Sequence, residues 1–141
     1  MKTTLLIAAA AVVAAVASSP TPLRALPDAS PRVFELRTYH TPPGKMPALH
    51  ARFRDHSITL LERHGMKMVG FWVPTDADKG SADTLVYIVA HQSREAAAAS
   101  WKAFGADPEW VKVKAESEKD GPLTSKVESV FMSPTDYSPM K

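Results

Sequence analysis

The sequence of 141 residues contains no cysteine and only six glycines, and its formal net charge is +2. The absence of cysteine excludes a disulfide framework, a thiolate metal site and a cysteine nucleophile. The six glycines form no glycine-rich phosphate loop. The net charge is too small to indicate a protein that binds nucleic acid through its phosphates. No nucleic-acid partner is therefore expected.

Long apolar runs are also absent, because the longest one covers only residues 5–17 and follows a positively charged Lys2. A membrane-spanning helix needs about 20 apolar residues. A positive start, a short apolar stretch and small residues such as Ala15-Val16-Ala17 are instead typical of a secretory signal peptide. We predict a signal peptide over residues 1–17, cleaved after Ala17, although a buried N-terminal helix would show a similar pattern. The mature protein is then secreted or periplasmic, without a stable membrane anchor.

Prolines divide the remaining chain into a folded domain and two flanking segments. Residues 18–31 contain Pro20, Pro22, Pro27 and Pro31, and prolines at this density favour extended, solvated chain. We interpret residues 18–31 as a Pro-rich linker, residues 32–133 as one folded domain, and residues 134–141 as a flexible tail. The folded domain is small for a single hydrophobic core.

Hydrophobic periodicity predicts the order β-α-β-β-α-β within this domain. The predicted strands cover residues 33–40, 66–73, 84–91 and 124–133, and the predicted helices cover residues 45–64 and 94–104, with a further helix restarting at Pro108. This order is that of a ferredoxin-like α+β fold, in which an antiparallel four-stranded sheet carries its helices on one face. The other face stays uncovered, so we predict a homodimer that packs sheet against sheet.

Several short motifs give the chain a family resemblance. In order they are Glu35-Leu36-Arg37-Thr38-Tyr39, Pro43-Gly44-Lys45-Met46, Glu62-Arg63-His64-Gly65, Val69-Gly70-Phe71-Trp72 and Asp107-Pro108-Glu109-Trp110. Their order and spacing resemble one domain of the NIPSNAP family, over nearly all of residues 33–132. The resemblance implies a dimeric α+β barrel. It implies little about chemistry, although structural relatives with this barrel include cofactor-free monooxygenases, other enzymes and haem proteins.

The first strand supplies the most polar candidate residues. Glu35, Arg37 and Tyr39 share one face because side chains alternate along a strand. One interpretation is a binding site in which Arg37 anchors an anionic ligand and Tyr39 donates a hydrogen bond. The other is a structural polar network, because buried charges need partners in any fold.

Aromatic residues and one histidine complete the candidate binding site. Phe53, Trp72 and Trp101 could line a pocket between the helices and the sheet, although large aromatics often belong to the core. His56 lies near the core stripe of the first helix and could face that pocket. No His pair has the spacing of a zincin site, so no metal is predicted, and nothing in the sequence indicates a cofactor.

These observations favour an exported, homodimeric protein that binds a small hydrophobic or aromatic molecule, or a partner. The alternative is a cofactor-free monooxygenase in which Arg37, Tyr39, His56 and Trp72 orient the substrate and move protons. A haem-binding barrel is a third hypothesis. No G-x-S-x-G motif indicates a serine hydrolase, and no combination of nucleophile, base and orienting residue is evident, so no catalytic residue is predicted.

Overall fold

A computed structural model describes residues 32–140. The predicted signal peptide and the whole of the predicted linker lie outside the described residues. The strands are β1 (Val33–His40), β2 (Lys67–Trp72), β3 (Thr84–His91) and β4 (Lys126–Met132), and the α-helices are α1 (Met46–Arg52), α2 (Ile58–Arg63), α3 (Arg94–Ala106) and α4 (Pro108–Ser117). The four strands form one antiparallel sheet in the order β2-β3-β1-β4. This arrangement confirms the predicted ferredoxin-like α+β fold.

One face of the sheet carries the helices and buries the core. Leu85, Tyr87 and Val89 alternate along β3 on this face and are almost completely buried. They pack with Leu49, Phe53, Leu60 and Leu61 from the first helical segment, and with Phe104 from α3. The inward side chains of β3 and the apolar stripe of the helices therefore form one hydrophobic layer, as the periodicity predicts.

The first helix is not regular along its length, which differs from the single α-helix predicted over residues 45–64. A π-helical turn, Phe53–Ser57, joins α1 to α2. In this turn the backbone N–H of Ile58 donates to the carbonyl oxygen of Phe53, five residues back. A hydrogen bond that spans five residues encloses one residue more than the four-residue bond of an α-helix. The extra residue changes which side chains face the core.

The second helical segment is divided into α3 and α4 by a sharp change of direction at Asp107. Ser93 caps α3 by accepting a hydrogen bond from the backbone N–H of Ala96 at 3.0 Å. Asp107 caps α4 by accepting from the backbone N–H of Glu109 at 2.8 Å, and Pro108 occupies the first helical position. The predicted restart of the helix at Pro108 is confirmed, whereas α3 continues through Gly105 to Ala106.

The opposite face of the sheet carries no helix of the described residues; its centre is apolar, and His40, Lys126 and Glu128 lie at one end of it. Leu36 and Ile88 lie side by side on it, in register with Val130 on β4. Val130 is 54% exposed. The C-terminal residues 134–140 run beside one end of this face, where a groove of about 290 Å³ separates them from Phe34 and Ile88. We call this surface the outer face. Among the described residues, no helix is long and apolar enough to cross a bilayer.

Candidate functional site

A partly enclosed cavity of about 180 Å³ lies between the sheet and the helices. Its apolar wall is largely aromatic and comprises Tyr39, Phe53, Leu61, Tyr87, Trp101, Phe104, Trp110 and Val127. Its polar lining comprises Arg52, Ser57, Lys114, Glu118 and Thr124. A cavity of about 150 Å³ is large enough to bind benzene, so this one can accept a small aromatic molecule.

Beside the cavity, the buried carboxylate of Glu35 collects four hydrogen bonds from side chains. Its Oε1 accepts from Arg37 and from the Ser129 hydroxyl, both at 2.6 Å. Its Oε2 accepts from the Trp101 indole at 2.7 Å and from a ring nitrogen of His91 at 2.9 Å. Burial by itself would raise the pKa of Glu35, but these four donors lower it to about 2. The carboxylate is therefore ionised at neutral pH.

Arg37 connects this carboxylate to the aromatic wall. Its guanidinium lies 4.1 Å from the ring centroid of Trp101, within the range of a cation–π interaction. It also lies 3.5 Å from the Tyr39 hydroxyl, which accepts a second hydrogen bond from Tyr87 at 2.9 Å. Burial raises the pKa of Tyr87 well above its ordinary value, so Tyr87 keeps its proton and remains a donor. The network therefore fixes the orientations of the aromatic side chains that line the cavity.

The other end of the cavity is charged. Arg52 is buried and donates to Glu118 Oε1 at 2.8 Å and to the Ser117 hydroxyl at 3.3 Å. Its guanidinium also lies 5.2 Å from the ring centroid of Trp110. Lys114 lines the same region and has no ion-pair partner within residues 32–140. Two cations and one carboxylate therefore line this end, which leaves one positive charge in excess.

The structure brings together five of the seven predicted site residues and separates two. Tyr39, Phe53 and Trp101 line the cavity. Glu35 and Arg37 lie in the polar network behind Tyr39 and Trp101, where each neutralises the other's charge. For Glu35 and Arg37, this arrangement is the structural polar network that the sequence offered as one interpretation. Arg37 does not line the cavity.

His56 lies outside the cavity because of the π-helical turn. In a regular α-helix, with about 100° of rotation per residue, His56 would fall within about 20° of the face of Leu49. The wider turn rotates His56 out to the surface and places Ser57 inside instead. His56 therefore lies in a shallow surface groove between α1 and α4.

Trp72 also lies outside the cavity. It pairs with Val86 and shares the outer face with Gly70, over which its ring lies. A register shift between Met68 and Gly70 puts both Gly70 and Trp72 on that face. Trp72 is 51% exposed, and it borders a groove at the β2 edge rather than the central cavity.

The charged end of the cavity is not among the features that the sequence predicts. Arg52 follows Leu49 by three residues and precedes Phe53. This spacing places Arg52 on the core stripe of the helix, so its burial could have been predicted from the sequence. For Lys114 and Glu118 the sequence predicts only a solvated, charged helix face, because a spacing of four residues between opposite charges is common on exposed helices. Within residues 32–140, no group of three or more potential metal-ligating side chains lies close together.

The sheet order, the single helical layer and the cavity between the layers define an α+β protein of the ferredoxin-like class. The sequence matches the model of the NIPSNAP family over residues 34–139. The chain belongs to the NIPSNAP family.

Solved structures agree with this assignment. The chain is 26% identical to a NIPSNAP family protein of unknown function from Agrobacterium tumefaciens, with a TM-score of 0.68 and coverage of 80% of this chain and 96% of that chain. It is 23% identical to a NIPSNAP domain protein from Burkholderia xenovorans, with a TM-score of 0.64 and coverage of 76% and 98%.

More distant structures share the fold. A monooxygenase from Streptomyces coelicolor, in complex with nanaomycin D, is 16% identical, with a TM-score of 0.51 and coverage of 79% of this chain and 94% of that chain. A search of curated proteins gave no significant match.

Proposed function

We propose that this protein binds a small aromatic or hydrophobic molecule in the cavity between the sheet and the helices. The observation that carries the proposal is the aromatic wall itself, held in place by hydrogen bonds to Trp101 and Tyr39. Burial of apolar surface supplies the affinity, and polar groups at the rim supply orientation. A wall fixed before binding reduces the entropy that binding costs.

The three tryptophans allow a direct test by ¹⁵N NMR. Trp101 and Trp110 line the cavity, whereas Trp72 lies on the outer face and serves as an internal control. Titration with a set of monocyclic and bicyclic aromatic compounds is expected to shift the indole N–H signals of Trp101 and Trp110 but not that of Trp72. The proposal is wrong if no compound shifts these two signals at millimolar concentration.

A matched pair of variants locates the binding. Val127 lines the cavity and is 44% exposed, whereas Val111 lies on α4 away from the cavity and is 55% exposed. Val127→Trp is expected to obstruct the cavity and weaken binding at least tenfold. Val111→Trp adds the same bulk elsewhere and is expected to leave binding unchanged.

We propose further that the chain forms a homodimer through the outer face. The support is a continuous apolar surface on an antiparallel sheet, which includes Leu36, Val86, Ile88 and Val130. Contiguous apolar surface on a sheet marks an interaction site, whereas apolar residues scattered singly over a surface do not. Residues 134–140 cover only one end of it.

The dimer is tested by light scattering with two matched substitutions. Val130→Asp places a charge on the outer face, and Val111→Asp places one at an equally exposed valine on the helical side. The unmodified chain and Val111→Asp are expected to be dimeric at micromolar concentration, and Val130→Asp to be monomeric. A monomeric unmodified chain would contradict the proposal.

Export is the third part of the proposal, supported by the sequence of residues 1–17. Protein recovered from the native host is expected to begin at Ser18. Intact mass of that protein decides the question, because a chain that still starts at Met1 has not been processed.

A cofactor-free monooxygenase is the second candidate function. It is supported by the shared fold with the Streptomyces coelicolor monooxygenase and by the hydroxyls of Tyr39 and Tyr87, which both line the cavity. Oxygen consumption with any compound that shifts the Trp101 signal distinguishes the candidates. A binding protein gives none above the rate without protein.

A further inference from the structure

We infer that the cavity selects an aromatic molecule carrying one anionic oxygen group, a carboxylate or a phenolate, and that Arg52, Ser57 and Lys114 bind this group. The inference rests on the proposed ligand-binding function and specifies its ligand. Three independent features of the charged end carry it.

The first feature is a pair of unsatisfied donors. Arg52 and Ser57 both line the cavity and are 6% and 2% exposed. Within residues 32–140, neither Arg52 Nε nor Ser57 Oγ has a hydrogen-bond partner; the same holds for Arg37 Nε and Thr41 Oγ1, whose residues do not line the cavity. Buried donors without a partner are costly, and native structures rarely keep them without a reason. In the inferred complex, the ligand supplies the acceptor oxygen that this end of the cavity lacks.

The second feature is charge. Glu118 would repel an anion, but its carboxylate is engaged by Arg52 at 2.8 Å. Lys114 is exposed and adds a second cation, which forms no ion pair with a carboxylate of residues 32–140. The excess of one positive charge fits a ligand with a single negative charge. Because Arg52 is buried beside the aromatic wall, its attraction for an anion is stronger than that of an exposed cation.

The third feature is the π-helical turn. The turn places Ser57 in the cavity, on the same helical segment as Arg52. A regular α-helix would present His56 there instead. Such turns are rare and are frequently found at functional sites, so the position of Ser57 is explained if its hydroxyl contacts the ligand.

The other arginine near the cavity does not compete for this role. The Arg37 guanidinium is neutralised by Glu35 at 2.6 Å and does not line the cavity. A ligand anion at Arg37 would have to displace an ionised carboxylate held by four donors. The anion site therefore lies at the opposite end of the aromatic wall from the one that the sequence indicates.

The test compares benzoate with benzamide, which has nearly the same shape but no charge. Both are titrated into the ¹⁵N-labelled protein at pH 7, and the indole signals of Trp101 and Trp110 report occupancy. Benzoate is expected to bind about tenfold more tightly than benzamide, because hydrogen bonds to a charged group are the stronger ones. Added salt is expected to weaken the binding of benzoate and to leave the binding of benzamide unchanged.

Two variants assign the effect. Lys114→Met removes the unpaired cation and is expected to weaken benzoate about threefold while leaving benzamide unchanged. Lys112→Met is the matched control, since Lys112 is exposed on the same helix and does not line the cavity. Ser57→Ala is expected to weaken benzoate about fivefold, and unfolding measurements confirm that the variant is folded.

The outcomes separate this inference from the proposed function. If benzamide and benzoate bind equally, the anion site is refuted while the aromatic cavity stands. If neither compound nor any other aromatic compound shifts Trp101 and Trp110, the proposed function fails and the anion site fails with it. Equal losses in Lys114→Met and Lys112→Met would also refute the assignment.

Discussion

Replacing Glu35 by glutamine is expected to lower the free energy of unfolding by about 3 kcal/mol at pH 7. The pKa of Glu35 falls from its ordinary value of 4.5 to about 2 on folding, and a difference of that size corresponds to about 3 kcal/mol. Removal of one partner from a buried ion pair independently predicts a loss of about 3–5 kcal/mol. Glutamine cannot replace the carboxylate, because its amide nitrogen would face donors such as Trp101 or Arg37.

The pH dependence gives the sharper test. Because the folded-state pKa lies below the unfolded one, the stabilisation is complete above about pH 5 and is lost as the pH falls toward 2. By pH 3, about 2 kcal/mol of the difference between Glu35→Gln and the unmodified chain should have disappeared. Urea unfolding at pH 7 and pH 3, at one protein concentration, measures both differences.

The control is Glu62→Gln, the same substitution at an exposed helical position. It is expected to change stability by less than about 0.5 kcal/mol at either pH. A loss below about 1 kcal/mol for Glu35→Gln at pH 7, or a difference that does not shrink at pH 3, would refute the role assigned to the ionised carboxylate.

Three further substitutions test the packing around the site, each by urea unfolding at pH 7. Tyr87→Phe removes the hydroxyl that donates to Tyr39 and should cost about 1 kcal/mol; no loss would mean that this hydrogen bond does not stabilise the wall. Ser93→Ala removes the cap of α3 and should also cost about 1 kcal/mol, which Ser93→Asp should largely restore. Leu49→Ala empties a position that is 0% exposed and should cost about 3 kcal/mol, so a loss under about 1 kcal/mol would contradict its place in the core.

Most of the fold was predictable because alternation and helical periodicity are local properties. The bounds of β1 and β3 agree with the prediction residue for residue, since both strands alternate strongly and end at turns. The helix restart at Pro108 was predictable from its capping residues. The bounds of β2 and β4 are shorter than predicted by one or more residues at each end, where pairing with the neighbouring strand stops.

The site was less predictable because two departures from regular geometry decide it. The π-helical turn exchanges His56 for Ser57, and the bulge in β2 puts Trp72 on the outer face. Both depend on hydrogen bonds that hydrophobic periodicity does not encode. The partnership of Glu35 with Trp101 and His91 joins residues more than fifty positions apart, so it required the sheet register.

The two arginines near the cavity have different roles: Arg37 supports the fold, and we infer that Arg52 binds the ligand. Arg37 is paired with an ionised carboxylate and stacks on Trp101, so its substitution would disturb the wall as well as any ligand. Arg52 donates a hydrogen bond to Glu118 through one terminal nitrogen, whereas its Nε has no partner among residues 32–140. Arg37 Nε also has no partner among residues 32–140, but Arg37 does not line the cavity, so only Arg52 can offer this donor to a ligand there. On this argument, chains of the same fold can hold the aromatic wall constant and change their ligand through the residues around the π-helical turn.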